Sequence, residues 1–170
     1  LQPADGRAAA ARLPTGAGEA WEGIWIPGGR ELLFRGGGGS GAGRDLFRLP
    51  LAPDAAPIPL LASPTEELSP ALSPDGHWLA YVGDESGRFE IYLRPFPNVD
   101  SAKWQISTDG GSEPLWAHNG LQLFYRSETH KLVATQIRPS AKEPVGPRQV
   151  LFDDSPYAVE GIHADYAVSL

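Results

Sequence analysis

Residues 72–97, LSPDGHWLAYVGDESGRFEIYLRPFP, decide the fold of this chain because they read as two strands joined by turns. Residues 73–76 are turn chemistry: proline presets φ, aspartate can hydrogen-bond its own backbone, and glycine accepts a positive φ without a Cβ clash. Residues 77–82 are aromatic and aliphatic, residues 84–87 form a polar turn, and residues 89–93 are again β-branched and aromatic. This pattern predicts a β-hairpin.

The same hairpin pattern recurs on both sides when Trp25, Leu72 and Trp116 are aligned, at spacings of 47 and 44 residues. Each of the three is followed by a turn with a closing glycine, then by a leucine, then by an aromatic residue. The aligned sets are the turns 27–29, 74–76 and 118–120, the leucines Leu32, Leu79 and Leu123, and the aromatics Phe34, Tyr81 and Tyr125.

Two further strands are predicted in each unit. The first set covers residues 45–49, 90–93 and 131–134, and the second covers residues 58–61, 104–108 and 148–152. With the strand that leads into the turn, each unit has about four short strands. A repeat of forty to fifty residues with four strands is typical of a β-propeller blade.

The middle unit resembles a known repeat. Residues 72–81, 90–97, 104–107 and 110–116 look like the TolB-type, WD-like propeller repeat of bacteria, as in the propeller C-terminal to the kinase domain of many bacterial serine/threonine protein kinases. The resemblance runs from about residue 19 to the end. Two departures are His118-Asn119, where the family has Pro-Asp, and the glycine-rich residues 36–43. Asn-Gly is itself a strong turn pair, so the turn is still expected.

The resemblance implies an all-β fold, a partial β-propeller of about three four-stranded antiparallel blades plus stubs of two more. Residues 1–18 are expected to be the end of a preceding blade or a disordered lead-in, with a strand favoured at residues 7–13. Residues 19–152 are predicted to hold the three blades, and residues 153–170 a loop and the start of a further blade, because Val168 falls 52 residues after Trp116. The blade boundaries are 19–61, 66–108 and 112–152.

Composition narrows the class of partner. The net charge of −7 and the scattered 14 Lys and Arg argue against a nucleic-acid partner. No cysteine is present, so disulfides and thiolate metal sites are excluded. No apolar run reaches the ~20 residues of a membrane span.

Because methionine is absent, we expect a processed chain or a fragment whose remaining propeller blades lie elsewhere. The sequence does not indicate the cellular compartment of the protein.

The glycine-rich loop formally matches a nucleotide motif. Residues 36–41 satisfy GxGxxG, but the loop leads into a predicted strand, whereas phosphate binding needs a helix N-terminus. Ser40 in this loop lacks the glycine of a nucleophile elbow, because Ala42 stands there. A flexible hairpin loop is therefore expected, with no cofactor.

Neither the histidines nor the acidic tail predicts a site. His77, His118, His130 and His163 lack a close ligand pairing, and only His118 stands out, in a turn beside Trp116. Calcium needs six to eight oxygens at defined spacing, which the tail does not supply. The tail carboxylates are Asp153, Asp154, Glu160 and Asp165. The sequence therefore predicts no catalytic, cofactor-binding or metal-binding residues.

One interpretation of the five tryptophans is a platform that binds a carbohydrate or a peptide. Trp25 and Trp116 recur in phase, which favours core or blade-interface positions. Trp104 begins an outer strand and is the better candidate for exposure. The remaining tryptophans are Trp21 and Trp78.

The favoured hypothesis is a non-catalytic binding or scaffold module that recognises a protein or small ligand and is attached to a bacterial serine/threonine kinase. One alternative is the substrate-gating propeller of a prolyl-oligopeptidase-type serine peptidase. A free periplasmic TolB-like protein is another. Because these functions rest on the resemblance of a fold, they are expectations rather than conclusions from a site.

Overall fold

A computed structural model describes residues 12–16, 19–37, 44–156 and 166–168. Within these ranges the regular structure consists of twelve β-strands and no helix, so none of it is a helix able to cross a membrane. The strands are β1 (Ala20–Trp25), β2 (Glu31–Gly36), β3 (Asp45–Pro50), β4 (Ile58–Leu61), β5 (Glu67–Leu72), β6 (Trp78–Gly83), β7 (Glu90–Pro95), β8 (Trp104–Gln105), β9 (Ser112–Trp116), β10 (Gln122–Ser127), β11 (Lys131–Ile137) and β12 (Val145–Asp153).

The strands form three four-stranded antiparallel sheets, each made of consecutive strands in chain order. We name them blade 1 (β1 to β4), blade 2 (β5 to β8) and blade 3 (β9 to β12). The first strand of each blade is its inner strand. This architecture confirms the predicted all-β fold of three four-stranded blades.

Cross-strand pairing confirms the alignment of the repeats. Trp25 pairs with Leu32, Leu72 with Leu79, and Trp116 with Leu123, so the aligned positions are also equivalent in space. Two outer strands differ from the expected lengths. The strand β12 extends further in both directions than residues 148–152, and β8 covers only two residues.

The short β8 has a local cause. The Ser107 hydroxyl accepts the N–H of Ile91 at 2.8 Å, at a place where a backbone carbonyl of the outer strand would otherwise pair. Ile106 still donates its own N–H to the Ile91 carbonyl at 2.7 Å. A side chain therefore replaces part of the ladder, as serine side chains do when they compete with regular pairing.

Two apolar cores hold the blades together. One core lies between blades 1 and 2, with Leu33, Leu46 and Leu79 fully buried. The other lies between blades 2 and 3, with Leu93 and Leu123 fully buried. Each sheet has two apolar faces and cannot cover them alone, so neighbouring blades supply the burial that stabilises the array.

A backbone hydrogen bond repeats from blade to blade. The Arg44 carbonyl accepts the Glu67 N–H at 2.8 Å, and the Phe89 carbonyl accepts the Gly111 N–H at 2.9 Å. Each bond joins the hairpin after the second strand of one blade to the start of the next blade. The His130 carbonyl accepts the Asp154 N–H at 3.0 Å, which repeats the bond just after β12.

The chain ends are described only in part. Residues 12–16 contain no strand, and most of the strand expected at residues 7–13 lies outside the described residues. Residues 166–168 have no regular structure but lie beside β9. The Tyr166 hydroxyl donates to the Glu113 carbonyl at 2.6 Å, and His118 Nε2 donates to the Val168 carbonyl at 3.1 Å.

Candidate ligand-binding channel

The three inner strands converge on a cavity of about 430 Å³, which we call the channel. Strands β1, β5 and β9 contribute equivalent residues to it, because the repeats are in phase. The lining consists of Glu22, Gly23, Ile24, Trp25, Ser69, Pro70, Ala71, Leu72, Pro74, Glu113, Pro114, Leu115, Trp116 and His118.

Each inner strand carries a β-bulge at the same place in the channel. The register shifts at Glu22, Ser69 and Glu113, and these residues have positive φ values of 53°, 48° and 55°. Left-handed backbone is costly for residues with a Cβ and persists only where the surroundings enforce it. Bulges also re-aim side chains beside functional sites. Three copies of one strained position therefore mark the channel as the candidate site.

In blade 1 the bulge carboxylate is buried against an arginine. Glu22 Oε2 lies 2.7 Å from Arg35 Nε, and both side chains are 5% exposed. The same carboxylate crosses to blade 2, where it accepts the Ser69 N–H at 3.0 Å. Trp21 covers the guanidinium, with Arg35 Cζ 5.0 Å from a ring centroid. Glu22 therefore links two inner strands while its charge is balanced by Arg35.

Blade 3 repeats this pair. Glu113 Oε2 lies 3.3 Å from Arg126 Nε, and Arg126 Nη1 lies 3.3 Å from Asp154 Oδ2. The Tyr166 ring lies over the guanidinium at 5.8 Å, and burial raises the pKa of the Tyr166 hydroxyl. The corresponding positions of blade 2 hold Ser69 and Val82, so blade 2 has no ion pair at this level.

The other end of the channel is formed by the turns that follow the inner strands. Gly76 and Gly120 have φ values of +70° and +69°, which favour glycine. A Cβ at Gly76 would lie 3.0 Å from the Pro27 ring of blade 1, and one at Gly120 would lie 3.7 Å from the Pro74 ring of blade 2. The turns of successive blades thus pack one on the next around this mouth.

The described histidines and tail carboxylates do not assemble into a metal site. His77 and His130 are exposed in turns, His118 lines the channel mouth, and His163 lies outside the described residues. Asp153 pairs with Lys131, and Asp154 pairs with Arg126. Glu160 and Asp165 fall outside the described residues. Within the described ranges, no cluster of three His, Asp or Glu could hold a metal ion.

The glycine-rich loop connects two paired strands. β2 ends at Gly36, and Gly36 pairs with Asp45 at the start of β3. The connection is therefore a hairpin, as predicted. Ser40 and Ala42 lie outside the described residues.

The exposure of the tryptophans differs from the pattern that the sequence predicted. Trp116 is buried between blades, as expected, but Trp25 is 51% exposed and lines the channel, so the core or interface position expected for it is wrong. Trp104, expected to be exposed, is only partly so. Its ring lies 5.9 Å from that of Trp78, and its Nε1 donates to Glu143 at 3.2 Å.

The bulge residues were not predicted from the sequence. A signal was present: Glu22 and Glu113 occupy equivalent positions, and so do Arg35 and Arg126. Two acids and two bases recurring together in mainly apolar strands indicate buried pairs, because a lone buried charge is too costly.

Known structures share this fold. A candidate TolB from Agrobacterium tumefaciens matches at 18% identity with a TM-score of 0.66, over 87% of this chain and 54% of that one. TolB from Acinetobacter baumannii matches at 14% identity with a TM-score of 0.53, over 77% of this chain and 32% of that one. A candidate 6-phosphogluconolactonase from Bacteroides fragilis matches at 14% identity with a TM-score of 0.53, over 79% and 38%.

The chain thus spans about half or less of the length of these structures. At these identities the likeness shows the fold alone, that of β-propeller blades. No protein-family model matches the chain, and no curated protein matches it.

Proposed function

We propose that this chain is a non-catalytic binding module that holds its ligand in the channel. One observation carries the proposal: the same strained bulge occurs in all three inner strands, and all three bulges line one cavity. A cavity of about 430 Å³ is within the range of small-molecule sites. The likeness to TolB-type propellers supports a binding role by analogy of fold.

The polar groups of the channel favour binding over catalysis. The Ser69 hydroxyl lies 3.5 Å from Glu22 Oε1, but that carboxylate is paired with Arg35 and is a poor general base. A serine nucleophile needs a base poised to take its proton. His118, the histidine of the lining, instead donates to the Val168 carbonyl at the mouth.

The proposal extends to the parent protein. We place the module in a larger bacterial protein, attached to a serine/threonine kinase, on the basis of the sequence resemblance of residues 72–116. In that position the channel would serve recognition, of a small ligand or of a protein. The flanking coding sequence tests this attachment. A kinase domain encoded upstream supports it, and a GxSxG-bearing hydrolase domain encoded downstream contradicts it.

Binding in the channel can be tested with the tryptophan side chains. The five indole N–H groups of the ¹⁵N-labelled chain are reporters, two of them in the channel (Trp25 and Trp116). A library of neutral, anionic and cationic fragments is screened by the changes that each fragment causes in the chemical shifts of these indole signals. We expect binders to shift the channel signals and to leave those of Trp78 and Trp104 in place. Binders that shift only Trp78 and Trp104, or a library without any binder, would contradict the proposal.

A further inference from the structure

We infer that the channel takes an uncharged ligand with an aromatic or aliphatic group, rather than a phosphorylated or otherwise ionic one. This inference rests on the proposed function and names the ligand class of the same site. It depends on the pairing of the charged groups at the lining and on the apolar surface that the lining presents.

Each carboxylate and each arginine at the channel already has a partner of opposite charge. Among the described residues of the lining, Glu22 and Glu113 are the carboxylates, and each faces one arginine, at 2.7 Å and 3.3 Å. Arg126 also pairs, at 3.3 Å, with Asp154, which is buried outside the lining. The Arg35 and Arg126 side chains are only 5% and 10% exposed. Both guanidiniums are therefore already paired with carboxylates, and a ligand would meet carboxylates that already have an arginine partner.

Among the described residues of the lining, neither an anionic nor a cationic ligand finds a charged group that is not already engaged. The lining contains no lysine or arginine among its described residues, and the Nε2 of its histidine, His118, is already bonded to the Val168 carbonyl. A phosphate would therefore be desolvated next to two carboxylates without a lysine or arginine to receive it. A cationic ligand would meet carboxylates that already face Arg35 and Arg126. Burying an uncompensated charge is costly in either case, which leaves an uncharged ligand favoured.

Apart from the two glutamates, Ser69 and His118, the described lining is apolar, and it includes the exposed indole of Trp25. Trp25 lines the channel and is 51% exposed, compared with 36% for Trp21 and 7% for Trp116. Pro70, Pro114 and Leu115 of the other two inner strands line the same cavity. An exposed indole in the same cavity as prolines and aliphatic residues provides a stacking surface for a planar apolar group. We therefore assign Trp25 as the residue that contacts the ligand.

Three naphthalene compounds test the ligand class. They are 1-naphthylmethanol, its phosphate monoester and 1-naphthylmethylamine, which share one ring system and differ in charge. Binding of each to the 170-residue chain is measured by isothermal titration calorimetry. We expect the alcohol to bind at least about tenfold more tightly than the phosphate or the ammonium form.

Two variants locate the binding. Trp25→Ala should weaken binding of the alcohol by about tenfold or more, whereas Trp25→Phe, which keeps an aromatic ring, should weaken it less. Trp104→Ala is the matched control, because Trp104 lies outside the channel, and it should leave the affinity unchanged. Circular dichroism checks that each variant is folded.

The outcomes separate the two proposals. Equal or tighter binding of the phosphate or the amine, with shifts of the Trp25 or Trp116 indole signal, overturns the inference and leaves channel binding in place. Binding of the alcohol that Trp25→Ala does not weaken also overturns it. If none of the three compounds binds, the ligand class is wrong, and the fragment library decides the proposed function separately.

Discussion

The indole Nε1 of Trp116 donates a hydrogen bond of 3.1 Å to the backbone carbonyl of Ala71 and so ties blade 3 to blade 2. Trp25 holds the same position in blade 1, but it is 51% exposed whereas Trp116 is 7% exposed. Equivalent tryptophans of the repeat thus have different tasks: one holds a blade interface together, and the other presents its ring to the channel.

This difference predicts unequal stability losses. Trp116→Ala should lower the free energy of unfolding by about 3 to 5 kcal/mol, because it removes a buried aromatic side chain and its hydrogen bond. Trp25→Ala should cost less than about 1 kcal/mol, since its side chain is half exposed. Urea unfolding followed by circular dichroism measures both. Similar losses for the two variants would contradict the assigned roles.

The buried pair of blade 1 makes a second prediction. Arg35→Val should lower the free energy of unfolding by about 3 kcal/mol or more, because it leaves the Glu22 charge buried without its arginine. Adding Glu22→Ser should recover part of that loss, although the bond from the Ser69 N–H is given up. Serine and valine are the residues that blade 2 carries at these positions, Ser69 and Val82.

A double-mutant cycle in urea measures the coupling between Glu22 and Arg35. The single variant Glu22→Ser completes the cycle. If the double variant loses the sum of the two single losses, the two residues are independent, and the pair does not balance charge at the channel.

Stability should depend on the protonation of Glu67 at the start of blade 2. Burial, with a further contribution from the nearby Asp45 carboxylate, raises the pKa of Glu67 from 4.5 to about 7, although hydrogen bonds from Ser63 and Thr65 oppose the rise. The folded state therefore binds the proton more tightly than the unfolded state. The free energy of unfolding should fall as pH rises from about 4.5 to about 7, by up to about 3 kcal/mol, and then stay level.

Glu67→Gln is the matched control, because glutamine resembles the protonated carboxyl in shape and remains neutral. The variant should lack this contribution and should be the more stable of the two proteins above pH 7. Urea unfolding of both proteins at several pH values gives the difference, in which other titrating groups cancel. A constant difference across pH 4.5 to 7 would show that Glu67 is not the responsible group.

The glycines at the equivalent turn position of the three blades allow a further comparison. Gly29, Gly76 and Gly120 have φ values of +66°, +70° and +69°, so alanine is strained at each by about 1 to 2 kcal/mol. A Cβ at Gly76 also presses on Pro27 at 3.0 Å, whereas Gly29 has no atom within 4 Å of its added Cβ. Gly76→Ala should therefore lower the thermal midpoint more than Gly29→Ala or Gly120→Ala. Equal shifts would show that the turns do not pack tightly at this mouth.

Much of the fold could be predicted because its signals are local. The turn at residues 73–76 depends on the backbone preferences of proline, aspartate and glycine, which are the same in any context. The alignment of Trp25, Leu72 and Trp116 placed equivalent hairpins, and strand pairing confirmed it. The length of β8 could not be predicted in this way, because the Ser107 side chain bonds the Ile91 N–H across the hairpin.

The channel was predicted much less completely. His118 stood out in the sequence and does line the channel, but Glu22, Ser69 and Glu113 did not. Their positive φ values arise where one inner strand must bulge against its neighbour. The residues of one strand do not indicate that constraint, because it comes from the pairing of two strands.

The sequence by itself determined the order and phase of the strands within the three blades, because turn residues and short apolar runs act over only a few positions. The tertiary structure alone decided whether residues at equivalent positions of the repeat have the same burial and the same partners. Trp116 is buried against Ala71 while Trp25 is half exposed, and Glu22 reaches the Ser69 N–H 47 residues away. Burial and charge pairing depend on the blade that lies alongside, and that neighbour is set by the packing of whole sheets.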